Sequence, residues 1–350
     1  MRANTFAALL ILAASTLLAR DYGPPVGHKM PNFKLHDQDG KEHTLKSLLG
    51  AQGAVILMYR SADWCPYCKA QLVELEQHQD AFRQLGLGVA AISYDSPAAL
   101  HNFAERKGIH FALLSDPDSK FIRELGILNE TIPKDSPFFG VPHPGSFVLD
   151  SNGVIRAKYF EDDLHQRYTS AGILLHQFGL MPAETKEIMG KQLKVTASAT
   201  NSVVAPGQRI VLAMDIELKP NTHVYAPGVD GYIPIEWKMN ESDAAVAQNA
   251  EFPAPQKLFL AAINETVAAY SGTFRVTRDI NIDQDDKLKP ALDSTGHFTI
   301  RSTLRYQACD NRICYIPQEL PIQWTFQYQD LDGQRVPAEL QHKAAASSQR

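Results

Sequence analysis

The sequence lacks a long apolar run beyond its first twenty residues, a basic stripe and a zinc-type cluster of cysteine and histidine. No later segment approaches the roughly 18 consecutive apolar residues of a membrane-spanning helix. The formal net charge is −5 and lysine and arginine form no run, which argues against a nucleic acid partner. Only four cysteines are present, too far apart as pairs for a four-ligand zinc site. We therefore expect no metal and no cofactor.

The sequence does contain a Cys-x-x-Cys pair, Cys65 and Cys68, preceded by an apolar run. The run 54–59 predicts a buried strand, and Pro66 favours the first turn of a helix. Cys65 is then placed at a helix N-terminus, where backbone N–H groups and the helix macrodipole favour thiolate over thiol. Cys68 lies one turn inside the helix and can close a short ring with Cys65. We interpret the pair as a reversible dithiol.

A structural bridge is the alternative interpretation of this pair. A ring this short removes only about 2 kcal/mol of unfolded-state entropy in the loop-closure model, against about 5 kcal/mol for a loop of about 100 residues. Because such a bridge would stabilise the fold only weakly, the pattern favours redox use.

Length and hydropathy predict two folded domains behind a targeting segment. With 350 residues and 44% apolar content, the chain can bury two ordinary cores. Residues 1–19 combine Arg2 with a signal-length apolar stretch, which predicts a cleaved signal peptide; a retained N-terminal anchor is the alternative. Two cysteine pairs without an odd thiol suit an oxidising compartment. We expect a protein that is periplasmic or otherwise exported.

Residues 25–180 alternate strand and helix patterns, which predicts an α/β sheet. The expected strands are 53–61, 89–93, 111–114, 146–150 and 154–160. The expected helices are 66–85, 97–107 and 119–125, with Ser96-Pro97 and Lys107-Gly108 bounding the second.

The segment 59–68 reads Tyr-Arg-Ser-Ala-Asp-Trp-Cys-Pro-Tyr-Cys and resembles the signature of the AhpC/TSA (redoxin) branch of the thioredoxin-fold superfamily. The resemblance implies that Cys65 attacks and Cys68 resolves. It further implies a cis-proline that faces the dithiol and presents backbone groups to an extended substrate, a role that falls on Pro144. An ordinary loop proline is the alternative there. The flanking residues expected to support the site are Trp64, Pro66 and Tyr67.

Two departures from related patterns bear on the activity. Peroxiredoxins carry a Pro-x3-Thr-x2-Cys motif that binds peroxide, and Met58 and Ala62 replace its proline and threonine here, which puts peroxidase activity in doubt. Thioredoxins carry a buried acid where this chain has Tyr59, so the sequence names no proton acceptor for Cys68. The nearby acids are expected to be solvated charges: Asp63 and Glu74.

Residues 185–335 alternate apolar and polar positions with a period of two, which predicts a β-sandwich. The longest series is Leu320, Ile322, Trp324, Phe326 and Tyr328. We expect a linker at 179–189 and a disordered tail at 336–350, with an Ala/Ser-rich end from Lys343.

The second cysteine pair, Cys309 and Cys314, flanks the tip of a predicted hairpin. Facing positions across antiparallel strands come within disulfide range. Closing this short loop with a disulfide would again remove only about 2 kcal/mol of unfolded-state entropy. The residues alone leave both a structural bridge and a redox pair open.

The stretch 306–317, Tyr-Gln-Ala-Cys-Asp-Asn-Arg-Ile-Cys-Tyr-Ile-Pro, resembles the N-terminal periplasmic domain of DsbD, an immunoglobulin-like module, as does His-Val-Tyr-Ala-Pro-Gly at 223–228. That family passes reducing equivalents to thioredoxin-fold partners through a cysteine-bearing hairpin. The resemblance implies that Cys309 and Cys314 are the redox pair and that Tyr225 lines their site, a core aromatic being the alternative.

The second resemblance includes one departure in cysteine spacing and implies one further loop. The cysteine spacing is one residue shorter than in the best-known member of the family. A cap loop that shields the pair is expected near 258–265.

Together the two halves predict an exported thiol-disulfide oxidoreductase that acts on protein thiols and disulfides. In this hypothesis Cys309 and Cys314 either re-reduce the Cys65–Cys68 pair or receive electrons from a membrane thiol reductase. One alternative is a peroxiredoxin-like thiol peroxidase with an antioxidant role. Another is a redox domain fused to an inert binding sandwich whose disulfide is structural. The direction of electron flow depends on two reduction potentials that the sequence does not determine.

Overall fold

The computed structural model describes residues 21–181, 185–260 and 264–342. The predicted signal peptide and the Ala/Ser-rich end lie outside the described residues. No helix within the described ranges is long and apolar enough to cross a membrane.

The first half forms an α/β domain of the predicted thioredoxin-like class. Its elements are β1 (Lys34–His36), β2 (Glu42–Thr44), α1 (Leu45–Leu48), β3 (Gly53–Met58), α2 (Pro66–Gln84), β4 (Leu87–Ser93), α3 (Pro97–Lys107), β5 (Ala112–Ser115), α4 (Lys120–Glu124), β6 (Gly145–Leu149), β7 (Ile155–Phe160), β8 (Arg167–Tyr168) and α5 (Ser170–Phe178). The sheet order is β2-β1-β5-β4-β3-β6-β7, with β3, β4 and β5 parallel.

Strand β3 is the centre of this domain, and all of its residues are buried. Ala54, Ile56 and Met58 pack into the core on one face of the sheet, while Val55 and Leu57 pack into the core on the other. A strand covered on both faces reads as a continuous apolar run, which is why the sequence locates it so well. The predicted caps of α3 are also confirmed, with Ser96 at its start and Gly108 in the left-handed conformation at its end.

The second half is the predicted immunoglobulin-like β-sandwich. Its strands are β9 (Thr185–Met189), β10 (Leu193–Ala199), β11 (Val203–Val204), β12 (Gln208–Leu218), β13 (His223–Tyr225), β14 (Glu236–Met239), β15 (Ala245–Glu251), β16 (Gln256–Leu260), β17 (Glu265–Ser271), β18 (Thr273–Ile282), β19 (His297–Tyr306), β20 (Ala308–Cys309) and β21 (Gln318–Tyr328). A short helix α6 (Asp285–Leu288) and 3₁₀ turns at Lys289–Ala291 and Ala338–Leu340 complete the elements.

Within the described residues, these strands form three sheets. The orders are β15-β18-β12-β10-β9, β11-β21-β19-β14 and β16-β17-β13-β20. Alternate residues of β12 and β21 point into one core, as the period of two predicts. The predicted linker is wrong beyond residue 184, because β9 pairs in register with β10 and belongs to the sandwich.

The two domains are joined by backbone and side-chain contacts. β8 adds to the edge of the sandwich as a parallel partner of β12. The guanidinium of Arg209 on β12 bonds Glu161 at 2.6 Å and Asp279 at 2.9 Å, and lies over the ring of Tyr168. His176 of α5 also reaches Asp279, at 3.0 Å. The sandwich is therefore docked against the end of the α/β domain.

Residues 329–342, here called the C-terminal strap, return from the sandwich to the α/β domain. Lys69 donates to the carbonyl of Gln334 at 2.7 Å, and the N–H of Val336 donates to Asp63 at 2.9 Å. Val336 is buried. The predicted disordered tail is thus wrong for 336–342, because polar and apolar partners far away in sequence hold this segment.

Candidate dithiol site

Cys65 caps the N-terminus of α2, and Pro66 is the first residue of the helix, as predicted. The N–H of Cys68 donates to the sulfur of Cys65 at 3.2 Å, so the helix end supplies a donor to that sulfur. Cys65 and Cys68 form a disulfide with a Cα–Cα distance of 5.3 Å. Their roles as attacking and resolving thiols stay predictions.

Both cysteines are completely buried, each with 0% exposure. Part of the cover is the ring of Tyr67, which meets His165 edge-on at a centroid distance of 5.1 Å. The backbone of Gly207, which belongs to the sandwich, packs against Tyr67 and His165. A Cβ at Gly207 would lie 2.0 Å from the carbonyl oxygen of His165 and 3.1 Å from the Tyr67 ring, so the approach requires glycine. In this arrangement a substrate reaches the sulfurs only after the cover moves.

Two guanidinium groups contact the disulfide. Arg60 Nη2 lies 3.4 Å from the sulfur of Cys65. Arg167 Nη2, from β8, lies 3.6 Å from the sulfur of Cys68 and 4.0 Å from that of Cys65. Burial lowers the pKa of Arg60, and it lowers that of Arg167 to about 9. Neither arginine was among the predicted site residues, although Arg60 is part of the signature segment.

Trp64 and Tyr67 flank the dithiol, as expected from the signature. The indole N–H of Trp64 donates to the hydroxyl of Tyr94 at 2.8 Å, and Arg60 lies over the indole ring. The hydroxyl of Tyr67 donates to the side chain of Gln284 in the sandwich, and burial raises its pKa. Trp64 therefore anchors the site to the α/β core, and Tyr67 links it to the second domain.

Asp95, which was not among the predicted site residues, is a fully buried acid next to this site. Its carboxylate accepts from Ser61 at 2.8 Å, from the N–H of Ala62 at 2.7 Å and from Ser93 at 3.0 Å. Burial raises its pKa to about 6. Asp95 thus ties the loop before the dithiol to the end of β4.

The expectation that Glu74 and Asp63 are solvated is wrong. Glu74 is buried on α2 and accepts from the N–H groups of Ser170 and Ala171, at 2.7 and 3.1 Å, at the start of α5. Asp63 is buried and pairs with Arg335 of the C-terminal strap. Local sequence could not show these partners because they lie about 100 and 270 positions away.

Pro144 lies where the resemblance places it but without the expected isomer. It is buried and precedes Gly145, which pairs with Met58 at the end of β3. It therefore lies at the sheet edge from which the chain runs on to Cys65. No peptide bond of the described residues is cis, so the cis-proline expectation is wrong.

The second pair also forms a disulfide, Cys309–Cys314, with a Cα–Cα distance of 4.0 Å. Cys309 is buried on β20, which pairs with β13, whereas Cys314 is exposed. The turn between them is closed by the Asp310 carboxylate, which accepts from the N–H groups of Arg312 and Ile313 at 2.7 and 2.9 Å. These bonds lower the pKa of Asp310. One sulfur of this pair is thus open to a partner.

Tyr225 contacts this second pair, as the resemblance implies. Its hydroxyl lies 3.8 Å from the sulfur of Cys314, and its ring stacks on Tyr232 at 4.2 Å. Leu258 and Leu260 of β16 pack against the cluster that contains Tyr225 and Cys309. These two leucines begin the segment 258–265 in which the cap loop is expected. Residues 261–263 of that segment lie outside the described residues, and the cap loop stays a prediction.

The two disulfides lie at opposite ends of the sandwich. Gly207, beside the first pair, bonds to Ile282 at the end of β18. Cys309 pairs with His223, which pairs with Ser271 just before the start of β18. The ten residues of β18 span about 33 Å. The pairs cannot exchange directly within one chain in this arrangement.

Comparisons with known proteins identify both halves. Residues 26–158 match the AhpC/TSA family, and 191–323 match the N-terminal domain of the thiol:disulfide interchange protein DsbD. Peroxiredoxin Bcp of Escherichia coli strain K12 is 33% identical over 129 residues, 37% of this chain and 81% of the relative. The chloroplastic peroxiredoxin Q of Populus jackii is 33% identical over 143 residues, 40% of this chain and 63% of the relative.

A solved structure is similar to the first half. Peroxidoxin BcpB from Mycobacterium tuberculosis aligns with 22% identity and a TM-score of 0.36, covering 39% of this chain and 86% of that chain. The two family matches confirm the predicted two-part arrangement, and the peroxiredoxin relatives support a thiol-based redox function. No cluster of three or more potential metal ligands occurs in the described part of the chain.

Proposed function

The chain belongs to the AhpC/TSA family, and from that premise we propose that it is a thiol-disulfide oxidoreductase acting on protein thiols and disulfides through Cys65 and Cys68. The observation that carries the proposal is a disulfide at a helix N-terminus, in contact with two guanidinium groups. These surroundings favour a thiolate, which is the form that attacks and leaves in exchange. A purely structural bridge gains nothing from them.

The exchange proceeds through a mixed disulfide. The Cys65 thiolate attacks a substrate disulfide, forms a Cys65–substrate bond and releases one substrate thiolate. Cys68 then attacks the Cys65 sulfur, closes the Cys65–Cys68 bond and releases the second substrate thiol. The substrate gains two electrons and the pair loses two, and the reverse sequence oxidises a substrate dithiol.

The second pair is proposed to exchange with a separate thioredoxin-fold partner. Support comes from the exposed Cys314 and from the match of 191–323 to the DsbD N-terminal domain. Two exposed apolar side chains, Ile313 and Ile316, lie next to Cys314 along the chain, and Ile316 is 80% exposed. In an exported protein, a membrane thiol reductase would be the electron donor for this pair.

Trapping tests the proposal. A Cys68→Ser variant should accumulate mixed disulfides with cellular proteins, visible as bands that disappear on reduction. A variant with both Cys65→Ser and Cys68→Ser is the matched control and should form none at this site. Absence of adducts with the single variant would count against exchange.

A second candidate is a thiol peroxidase, which the similarity to peroxiredoxins favours. Met58 and Ala62 are buried where peroxiredoxins place proline and threonine, and neither offers a hydroxyl to peroxide. Stopped-flow measurement of hydrogen peroxide reduction separates the candidates. A rate no faster than that of free cysteine would exclude the peroxidase.

Export is also part of the proposal, and rests on residues 1–19. N-terminal sequencing of the protein recovered from the periplasm should begin after Ala19. Recovery of the full sequence from the membrane fraction would instead support the retained anchor.

A further inference from the structure

The guanidinium groups of Arg60 and Arg167 face a disulfide, which carries no charge to compensate them. Both Nε atoms are buried without a hydrogen-bond partner, and neither side chain forms an ion pair within the described residues. Arg167 is only 3% exposed. An uncompensated buried cation is unfavourable, so these arginines need a reason in the chemistry of the site.

The acids that act electrostatically on Arg167 are engaged elsewhere. Asp163 accepts from the N–H and the ring of His165, at 2.8 and 3.1 Å. Glu161 accepts from Arg209 at 2.6 Å. The sulfurs are therefore the groups in direct contact with Arg167 that can become negative.

Reduction creates that negative charge where the cations lie. Cys65 receives three donors: the N–H of Cys68, Arg60 Nη2 and Arg167 Nη2. A thiolate there would be stabilised by all three in a water-excluded site, where electrostatic attraction is strong. The disulfide gains no comparable stabilisation. The arginines thus favour one redox state over the other.

We infer that Arg60 and Arg167 shift the Cys65–Cys68 couple toward its reduced form, so that this site takes electrons from protein dithiols. The inference rests on the proposed function and names its direction and its substrate class. A couple whose reduced form is stabilised has a higher reduction potential and is the more strongly oxidising partner.

The sandwich takes part in this effect because it holds Arg167. The backbone N–H of Arg167 donates to the carbonyl of Gly207 at 2.8 Å, at the start of the β8–β12 pairing. Its Nη1 donates to the carbonyls of Leu164 and Gln166, at 2.9 and 2.5 Å. The second domain therefore places one of the two cations on the dithiol of the first.

The redox step balances with two molecules of reduced glutathione, a monothiol, as the probe. Two glutathione thiols lose two electrons and join as glutathione disulfide, while the Cys65–Cys68 bond breaks. One of the two released protons goes to Cys68, and the other goes to solvent because Cys65 remains a thiolate. The equilibrium constant of this exchange measures the potential.

The test measures that constant in the full-length chain, from the oxidised and the reduced side. Arg60→Met and Arg167→Met should each lower the constant for Cys65–Cys68 at least tenfold, which is about 30 mV. Arg167→Lys keeps the positive charge, so its constant for Cys65–Cys68 should stay close to that of the wild type. The matched control is Arg278→Met, because Arg278 is a half-buried arginine that lies over Trp237 in the sandwich. The constant for Cys309–Cys314 serves as an internal reference and should not change.

The outcomes separate this inference from the proposed function. A wild-type pair that does not exchange with glutathione in either direction would overturn the proposed function. A pair that exchanges normally, but whose constant changes less than twofold in both methionine variants, would overturn the inference alone. An equal decrease of the Cys65–Cys68 constant in Arg278→Met would also overturn the inference, because the effect would then not depend on contact with the sulfurs.

Discussion

Asp63, two residues before Cys65, is held by Arg335 from the C-terminal strap. Arg335 Nε lies 2.7 Å from one carboxylate oxygen and Nη2 lies 2.5 Å from the other, a two-point pair between residues 272 positions apart. The Asp63 side chain is only 2% exposed. The end of the chain therefore supports the loop that carries the dithiol.

Removing this cation should destabilise the α/β domain. Arg335→Ala leaves the Asp63 carboxylate buried with only the N–H of Val336 as a strap partner. Because Arg335 is itself partly exposed, we expect a loss of about 2 kcal/mol in the free energy of unfolding, below the range for a fully buried pair. Urea denaturation measures it. Arg301→Ala, at an exposed position of the sandwich, is the control and should change stability by less than about 0.5 kcal/mol.

Access to the buried dithiol should depend on the contact between the domains. Arg209→Ala removes the bond to Glu161 that joins β12 to the α/β domain, together with the bond to Asp279 inside the sandwich. We expect reduction of Cys65–Cys68 by dithiothreitol to become several-fold faster, because the cover opens more often. Arg275→Ala removes an ion pair with Asp215 inside the sandwich and should leave the rate near that of the wild type. Equal rates in all three proteins would contradict the proposed cover.

The two cysteines of the second pair should differ in reactivity. Cys309→Ser leaves the exposed Cys314 as a free thiol, whereas Cys314→Ser leaves the buried Cys309. Since access controls the reaction of a thiol, iodoacetamide should modify the first variant at least tenfold faster than the second. Mass spectrometry of the alkylated peptide measures both rates. Similar rates would mean that the hairpin does not hold Cys309 buried in solution.

The contribution of Asp95 to stability should change with pH. Its pKa is raised from 3.8 to about 6 in the folded state, so its stabilising contribution is complete below about pH 4 and is lost as pH rises through about 6. Asp95→Asn removes this titration. The unfolding free energy of the variant, relative to wild type, should therefore rise by about 2 to 3 kcal/mol between about pH 4 and about pH 7. Urea denaturation across that range measures it, and a constant difference would contradict the raised pKa.

Much of the local structure was predictable because it depends on neighbouring residues. The start of α2 at Pro66 follows from the proline, and the limits of α3 follow from Ser96 and Gly108. The apolar run of β3 and the alternation along β21 determine which faces are buried. In each case the signal lies within a few positions of the element it predicts.

The sequence by itself thus determined two domains, a dithiol at a helix N-terminus and a second pair on a hairpin, because local propensity and periodicity encode them. Only the tertiary structure decided which side chains meet the sulfurs. Arg167 reaches the dithiol through strand pairing with the sandwich, and Asp63 and Glu74 find partners far along the chain. The tertiary structure also decided that the two disulfides lie at opposite ends of the sandwich. Such contacts depend on how distant segments pack, and no local pattern records that.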